Sequence, residues 1–535
     1  MSSGTAVEWG LAASARRVLA IWIAKAAAGV HRLGTDSAAR ASARVSLGPD
    51  RAALSGLGRE PRRGSILVTG SVGKGTTCLL LAEVMRAAGL HPVLSTNGGD
   101  RSAVAGMVAR ARPTGQLRHD PRAVGLFEVA IDALAETIGH MPAPAAVVCT
   151  NLFRSEPARG GQTPSAEILL ERGIRRLPAS TTLILNADDP RVAGLAPDLP
   201  NPRLYFGLSD PCQGRVRTDA TADRPPCPRC SGELSYAYGY YGHLGHWACG
   251  WCGFRRPQLD VSAGDLRTNG ARVSRLRVST AAGQDLLEIS LPGLYNAYNA
   301  LAAAAAATHA GLPRRSLTAM GQAAPAAGRM ERIQVAGRGV YLALVPDARS
   351  YTEVLHAVLG DGEPRRLLVG LDDGAGTEPE SGWIWDVDFD ALAGLALSPV
   401  ITGSRAATLA VRLKYAGWLG DGQDHGQSAG AIIEPDAVRA FRAAITATPP
   451  GDSLWVVSTA ATLQELRRWL RRHGYVRDQR RHDLKLGMAR LRRESGRPSG
   501  PPLSGRRPLG RRAADRFGRR TRPRRRPGGT RRWGI

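Results

Sequence analysis

Apolar residues in this chain come in short uninterrupted blocks followed by polar or glycine-rich breaks. Ser65-Ile66-Leu67-Val68-Thr69 is one such block. A run this short with no polar alternation predicts a strand buried on both faces. A glycine-rich break follows it, then Cys78 to Ala88 (CLLLAEVMRAA), whose length and composition predict a helix. A second apolar run closes at Phe127-Glu128-Val129, and an alanine-rich stretch after Asn299 predicts another helix. Near the start, Val18 to Val30 (VLAIWIAKAAAGV) predicts a helix with one apolar face edged by Arg16, Arg17 and Lys25. Two readings stay open for it: packing against the main body, or shallow contact with a membrane surface. It is too short to span a bilayer, which takes about 20 apolar residues. No small-residue cleavage site follows a short apolar run, so no signal peptide is expected and the protein is expected in the cytoplasm.

Length and composition narrow the picture. The 535 residues exceed one ordinary core and predict about three domains. A hydrophobic share of 43% is enough to build those cores and excludes a wholly disordered chain. Seven cysteines exclude a disulfide-dense secreted scaffold. The formal charge of +26 points at first to nucleic acid or an anionic membrane. Its distribution weakens that inference. Residues 477–535 hold 21 Lys/Arg against 4 Asp/Glu, a charge of +17, which leaves +9 for the rest. This Arg/Pro/Gly-rich tail has no apolar periodicity and is expected to be disordered. It serves either as a polybasic arm for phosphates or anionic lipid, or as a solvated extension. Stacking on single-stranded nucleic acid needs interleaved aromatics, and the tail offers only Phe517 and Trp533, so no specific nucleic acid is expected.

The break after the first strand carries chemistry. Gly70-Ser71-Val72-Gly73-Lys74-Gly75-Thr76-Thr77 lies between strand and helix, the layout of a phosphate-binding loop. Glycines let backbone N–H groups converge on phosphate oxygens, the helix start adds positive potential, and Lys74 adds a full charge. A hydroxyl of Thr76 or Thr77 would reach Mg²⁺. A second signal is Cys227-Pro228-Arg229-Cys230 with Cys249-Gly250-Trp251-Cys252, two C-x-x-C pairs at zinc-ribbon spacing. Four thiolates leave no open position, so a structural Zn²⁺ is expected. Cys78, Cys149 and Cys212 read as bystanders.

The loop resembles that of the Mur ligase superfamily. So do Val147-Val148-Cys149-Thr150-Asn151-Leu152-Phe153-Arg154, Leu183-Ile184-Leu185-Asn186-Ala187-Asp188-Asp189-Pro190, Gly293-Leu294-Tyr295-Asn296-Ala297-Tyr298-Asn299-Ala300 and the turn Gly328-Arg329-Met330-Glu331, in the family's order. The cysteine ribbon, Tyr241-Gly242-His243-Leu244-Gly245, Ser381-Gly382-Trp383-Ile384-Trp385-Asp386 and Arg412-Leu413-Lys414-Tyr415-Ala416-Gly417 resemble the MurT branch, the ligase-like subunits of lipid II isoglutaminyl synthase. The resemblance runs from about Leu11 to Gly474.

That resemblance implies an α/β fold. A Mur-ligase-type central ATP-binding domain is expected over residues 61–325, with a zinc ribbon inserted at about 212–258. A smaller α/β C-terminal domain is expected over 331–475, between an N-terminal helical extension (1–60) and the basic tail (476–535). The resemblance implies ATP-dependent activation of the α-carboxylate of D-glutamate in the lipid II stem peptide. Ammonia from a GatD-like glutamine amidotransferase subunit would then give D-isoglutamine, at the inner face of the membrane. Implied nucleotide contacts are Gly70, Gly73, Lys74, Thr76, Thr77, Asn186, Asp188, Arg329 and Asp347, with Thr76 and Glu128 on Mg²⁺ and Lys74 and Glu128 in catalysis. Ungapped counting from Trp383 puts the carboxylate that completes the glutaminase's triad at Glu380. Several positions depart from the family pattern. Val72 replaces an Asn, Gly75 a Thr, and two Asp positions after Phe153 are lost while Arg154 and Arg159 remain. A divergent nucleotide-binding paralogue with another carboxylate substrate, or with no catalytic role, is the alternative.

Overall fold

The computed structural model describes residues 64–95, 120–140, 143–153, 165–211, 224–269, 273–291, 293–323, 329–359, 363–373, 382–419 and 431–476. The expected N-terminal helix at 18–30, Arg154, Arg159, Cys212, Glu380 and the basic tail lie outside them.

The larger of two main sheets has nine strands. β1 (Ser65–Thr69), β2 (His91–Ser95), β3 (Ala123–Glu128), β4 (Ala146–Cys149), β5 (Thr182–Asn186) and β6 (Arg203–Leu208) are parallel. Their neighbour β9 (Val261–Asn269) is parallel to β6 and starts an antiparallel meander with β10 (Val273–Thr280) and β11 (Gly283–Ile289). The order is β11-β10-β9-β6-β5-β4-β1-β3-β2. β1 is buried at all five positions, and its side chains serve two cores in alternation. Ile66 and Val68 pack under α1 (Lys74–Ala87), whereas Leu67 joins Leu134 and Leu170 on the opposite face. This double burial is why β1 carries no polar alternation.

Strand order reverses beside β1: the chain fills β2 and β3 on one side, then crosses to β4, β5 and β6 on the other. A reversal of this kind opens a crevice at the carboxyl ends of the strands, and the glycine loop sits there. The helix Leu294–His309 covers this region; Ala300 to Ala307 are buried essentially completely, and small side chains let it approach α1 and the sheet closely.

The second sheet has six strands in the order β12-β13-β17-β14-β15-β16. β13 (Arg338–Leu344), β17 (Ser453–Ser458), β14 (Arg365–Gly370), β15 (Ala396–Thr402) and β16 (Ile432–Ile433) are parallel, and β12 (Arg329–Val335) pairs antiparallel with β13. Arg329-Met330-Glu331, expected as part of a turn, instead opens β12. A bulge sits there, with Met330 at φ 54°.

The third sheet is the hairpin of β7 (Leu234–Tyr241) and β8 (Leu244–Cys249). Its small core joins Ala193 to Leu234, Trp247, Phe254 and two of the cysteines. The hairpin is anchored on the turn after β5. Trp247 Nε1 donates to Ala187 O (3.1 Å) and Gly245 N to Asp188 O (2.9 Å). No helix among the described residues is long and apolar enough to cross a membrane.

Candidate active site

Three glycines shape the loop after β1, each for a steric reason. Gly70 has φ +132°, and a Cβ there would lie 2.2 Å from Thr150 Oγ1. Gly73 has φ +86°, and its Cβ would lie 2.0 Å from Asn299 Oδ1. At Gly75 a Cβ would come within 2.9 Å of Glu128 Oε2. The departure from the family pattern at Gly75 thus has a local explanation: the missing side chain makes room for the Glu128 carboxylate. The helix starts at Lys74, four residues earlier than the apolar pattern predicts, with Thr77 N donating to Gly73 O (2.9 Å). Lys74, Gly75, Thr76 and Thr77 therefore form its first turn, where the positive end of the helix dipole favours an anion.

Much of the loop's backbone is satisfied from outside it, by residues 150–153. Asn151 Oδ1 accepts from Val72 N (2.9 Å), and Asn151 O from Ser71 N (2.9 Å). Thr150 Oγ1 donates to Val72 O (2.8 Å) and approaches Thr69 O (3.2 Å). Phe153 N donates to Ser71 Oγ (3.0 Å). Lys74 Nζ donates to Gly70 O (2.7 Å) and Ser71 O (3.0 Å), which closes the loop from the inside.

The resulting cleft, of about 250 Å³, lies between the two main sheets. Lys74, Thr76, Glu128 and Asn151 line it from the first sheet's side, Asn296 and Asn299 from the alanine-rich helix, and Asp347 from beyond β13. Glu128 is 6% exposed, a carboxylate held almost out of water. The buried Cys78 thiol behind it is pushed well up, first by burial and then by the Glu128 charge. A carboxylate, a threonine hydroxyl and a lysine at a helix start form a set of hard oxygen donors and positive charge. Such a set suits a phosphate chain carrying Mg²⁺. Asp347 also caps the helix Ala348–Leu359, accepting Ser350 N at 2.8 Å.

Other expected residues are placed differently. Thr77 is fully buried, outside the cleft, and its hydroxyl has no hydrogen-bond partner among the described residues. Asn186 donates to Thr150 O (2.9 Å) and accepts Asp188 N (3.0 Å). Asp188 is fully buried, receiving Arg256 (2.5 Å), Tyr298 Oη (2.8 Å) and Leu208 N (2.8 Å). Burial still outweighs these partners and lifts its pKa. Neither Asn186 nor Asp188 lines the cleft. Both brace it from behind. Arg329 begins β12. Asn151, Asn296 and Asn299 also line the cleft, although none of them is among the expected nucleotide contacts. The signal for the last two is the spacing Asn296-Ala297-Tyr298-Asn299, which puts both amides on one helix face.

The four ribbon cysteines converge, with all sulfurs within 4.8 Å of one another. Two similar turns present them. Cys227 N donates to Gly232 O and Ser231 N to Cys227 O; Cys249 N donates to Phe254 O and Gly253 N to Cys249 O. Ser231 and Gly253, each four residues past the first cysteine of a pair, both have positive φ. The Cys252 N–H, joined by that of Trp251 against partial desolvation, brings the Cys249 thiol down to about 6. At Cys230 the Gly232 N–H favours the thiolate, but desolvation and neighbouring sulfurs outweigh it and push the thiol up to about 12. Sulfurs this crowded ionise together only around a cation, and a four-thiolate site fits a soft divalent metal.

Gly73→Ala is expected to abolish Mg·ADP binding, measured by calorimetry, in a protein that still folds with a lowered melting temperature. Retained binding would contradict the steric account of the loop.

A family model described as the MurT ligase C-terminal domain matches residues 344–462. The lipid II isoglutaminyl synthase (glutamine-hydrolyzing) subunit MurT of Streptococcus pneumoniae (strain ATCC BAA-255 / R6) is 27% identical over 359 residues, covering 66% of this chain and 77% of that protein. The MurT subunit of Staphylococcus aureus (strain COL) is 26% identical over 368 residues, with the same coverage. Among solved structures, a pseudomurein peptide ligase type C from Methanothermus fervidus superposes with TM-score 0.56 at 18% identity, over 78% of this chain and 80% of that one. MurF from Acinetobacter baumannii gives 0.53 at 18% identity with the same coverage. At these identities the structural likeness is one of fold. In fold the chain is Mur-ligase-like, and in sequence it is similar to the MurT subunits.

Proposed function

We propose that this chain is the ATP-dependent ligase subunit of a lipid II isoglutaminyl synthase. The observation that carries this reading is the convergence of Lys74, Thr76 and Glu128 on a glycine loop at the strand-order reversal. The reading draws its substrate from the names of the relatives at 26–27% identity.

A carboxylate is a poor electrophile, and phosphorylation supplies a leaving group. An oxygen of the D-glutamate α-carboxylate attacks the γ-phosphorus of ATP, and the bond from that phosphorus to the bridging oxygen breaks, releasing ADP. The ammonia lone pair then attacks the acyl carbon. The bond to the phosphate oxygen breaks with its electron pair on phosphate, and the nitrogen loses a proton. Lys74 and the first-turn N–H groups hold the phosphates and offset charge that builds on them. Thr76 and Glu128 would hold Mg²⁺, which when bound screens the phosphate oxygens. Asn296, Asn299 and Asp347 are suited to orient the rest of the nucleotide.

Ammonia is proposed to come from a GatD-like glutaminase subunit, with Glu380 completing that partner's triad. The lipid-linked substrate puts this work at the inner face of the membrane. The four cysteines are proposed to hold one structural Zn²⁺ that stabilises the hairpin, which has only a small core of its own.

Two experiments test this reading. Metal analysis of the purified chain is expected to give about one zinc per chain, and chelation to lower the melting temperature. A folded metal-free protein would refute the zinc assignment. Co-expression with the glutaminase subunit of the same cell, followed by lipid II amidation, tests the rest. Lys74→Ala is expected to lose amidation by about 10²-fold or more with either glutamine or ammonium as nitrogen source. Glu380→Gln is expected to lose only the glutamine-driven reaction. A wild-type complex that binds Mg·ATP but amidates nothing would leave the non-catalytic paralogue in its place.

A further inference from the structure

The hairpin whose far end holds Cys249, beside the other three zinc-ribbon cysteines, has its turn in the nucleotide cleft. Tyr241 and Leu244, which flank the turn, both line that cleft. Between them His243 is 1% exposed, and its Nε2 lies 3.1 Å from Asp189 Oδ1. The contact lies off the line of a good hydrogen bond, and neither ring nitrogen has a well-aligned hydrogen-bond partner among the described residues. A buried imidazole without a hydrogen bond is costly unless its neighbours use it.

Its neighbours lead to the loop. Asp189 Oδ1 accepts Arg191 N (3.0 Å) and lies near Val192 N, so it starts a short helical turn. Its other oxygen, Oδ2, accepts Leu152 N at 2.7 Å. Leu152 stands between Asn151, which holds Val72, and Phe153, which holds Ser71. The His243 ring also packs edge-on against Phe153 (centroids 5.0 Å), as does Tyr241 (5.1 Å), and the Arg349 guanidinium lies 4.0 Å over the same ring. Gly242 at φ +56° lets the turn come this close: a Cβ there would lie 3.1 Å from Phe153 Cε1.

We propose that His243 is a positioning residue for nucleotide binding: through Asp189 and Phe153, the ribbon's hairpin turn fixes segment 150–153 and, through that segment, the glycine loop. The ribbon is then part of the nucleotide site's support as well as a metal-stabilised insertion. The inference rests on the nucleotide reading of the cleft.

Hydrogen exchange on the full chain without nucleotide tests the coupling itself. In His243→Phe, which keeps an aromatic ring but loses the partner of Asp189, peptides covering residues 68–75 and 148–154 are expected to exchange about tenfold faster. Peptides from the cysteine turns and from β10–β11 are expected to keep their wild-type rates. The Mg·ADP dissociation constant is expected to rise about tenfold. His243→Gln, whose amide nitrogen can stand near the place of Nε2, is expected to restore both. Unchanged exchange in those two peptides, or faster exchange spread evenly over the molecule, would overturn the proposal. A wild-type chain that binds no nucleotide would overturn the nucleotide reading instead, and the exchange comparison would still decide this one.

Discussion

A phosphate loop needs some backbone amides that point inward at the anion, and a loop built that way cannot hold its own shape. Here the constraint is met from outside. Gly70 to Gly73 hang on Thr150, Asn151 and Phe153, which engage Val72 N, Val72 O, Ser71 N and the Ser71 hydroxyl. Side chains at three loop positions would collide with Thr150, Asn299 and Glu128. The shape that receives an anion is thus a property of four elements meeting at the end of β1, and much of the molecule serves to keep those elements in place.

The residues behind the cleft show how. Asn186 holds Thr150 O, and Asp189 holds Leu152 N. Asp188 joins Arg256, at the far side of the ribbon, to Tyr298 on the alanine-rich helix. Such a buried acid is stable only while each partner stays, because removing one leaves an uncompensated group out of water. The second main sheet adds Asp347 and Arg349, one lining the cleft and one resting on Phe153. Both main sheets and the ribbon therefore contribute to the same small region.

Much of this was legible in the sequence. The block 65–69 reads as a doubly buried strand because both faces are apolar, and the glycines after it announce a loop. The C-x-x-C pairs announce four converging sulfurs because their spacing matches two similar turns. What was not legible depends on distant partners. A carboxylate in Asn186-Ala187-Asp188-Asp189 could face a ligand or the protein, and the answer rests on Arg256 and Tyr298, 68 and 110 residues away. The helix start at Lys74 escaped the hydrophobic pattern because its first turn is glycine and threonine. The meander at 261–289 escaped because its strands carry exposed, charged positions such as Arg275, Arg277 and Glu288, without the continuous apolar blocks of the parallel strands.

Thr150 gives the most direct access to the central claim, since it supports the loop without lining the cleft. Calorimetric titration of Thr150→Val with Mg·ADP, beside the wild-type chain, isolates that support: valine keeps the shape and removes the hydroxyl that reaches Val72 O. The account predicts a dissociation constant raised about tenfold, near 1.4 kcal/mol, in a protein that remains folded. Wild-type affinity in a folded Thr150→Val protein would contradict it.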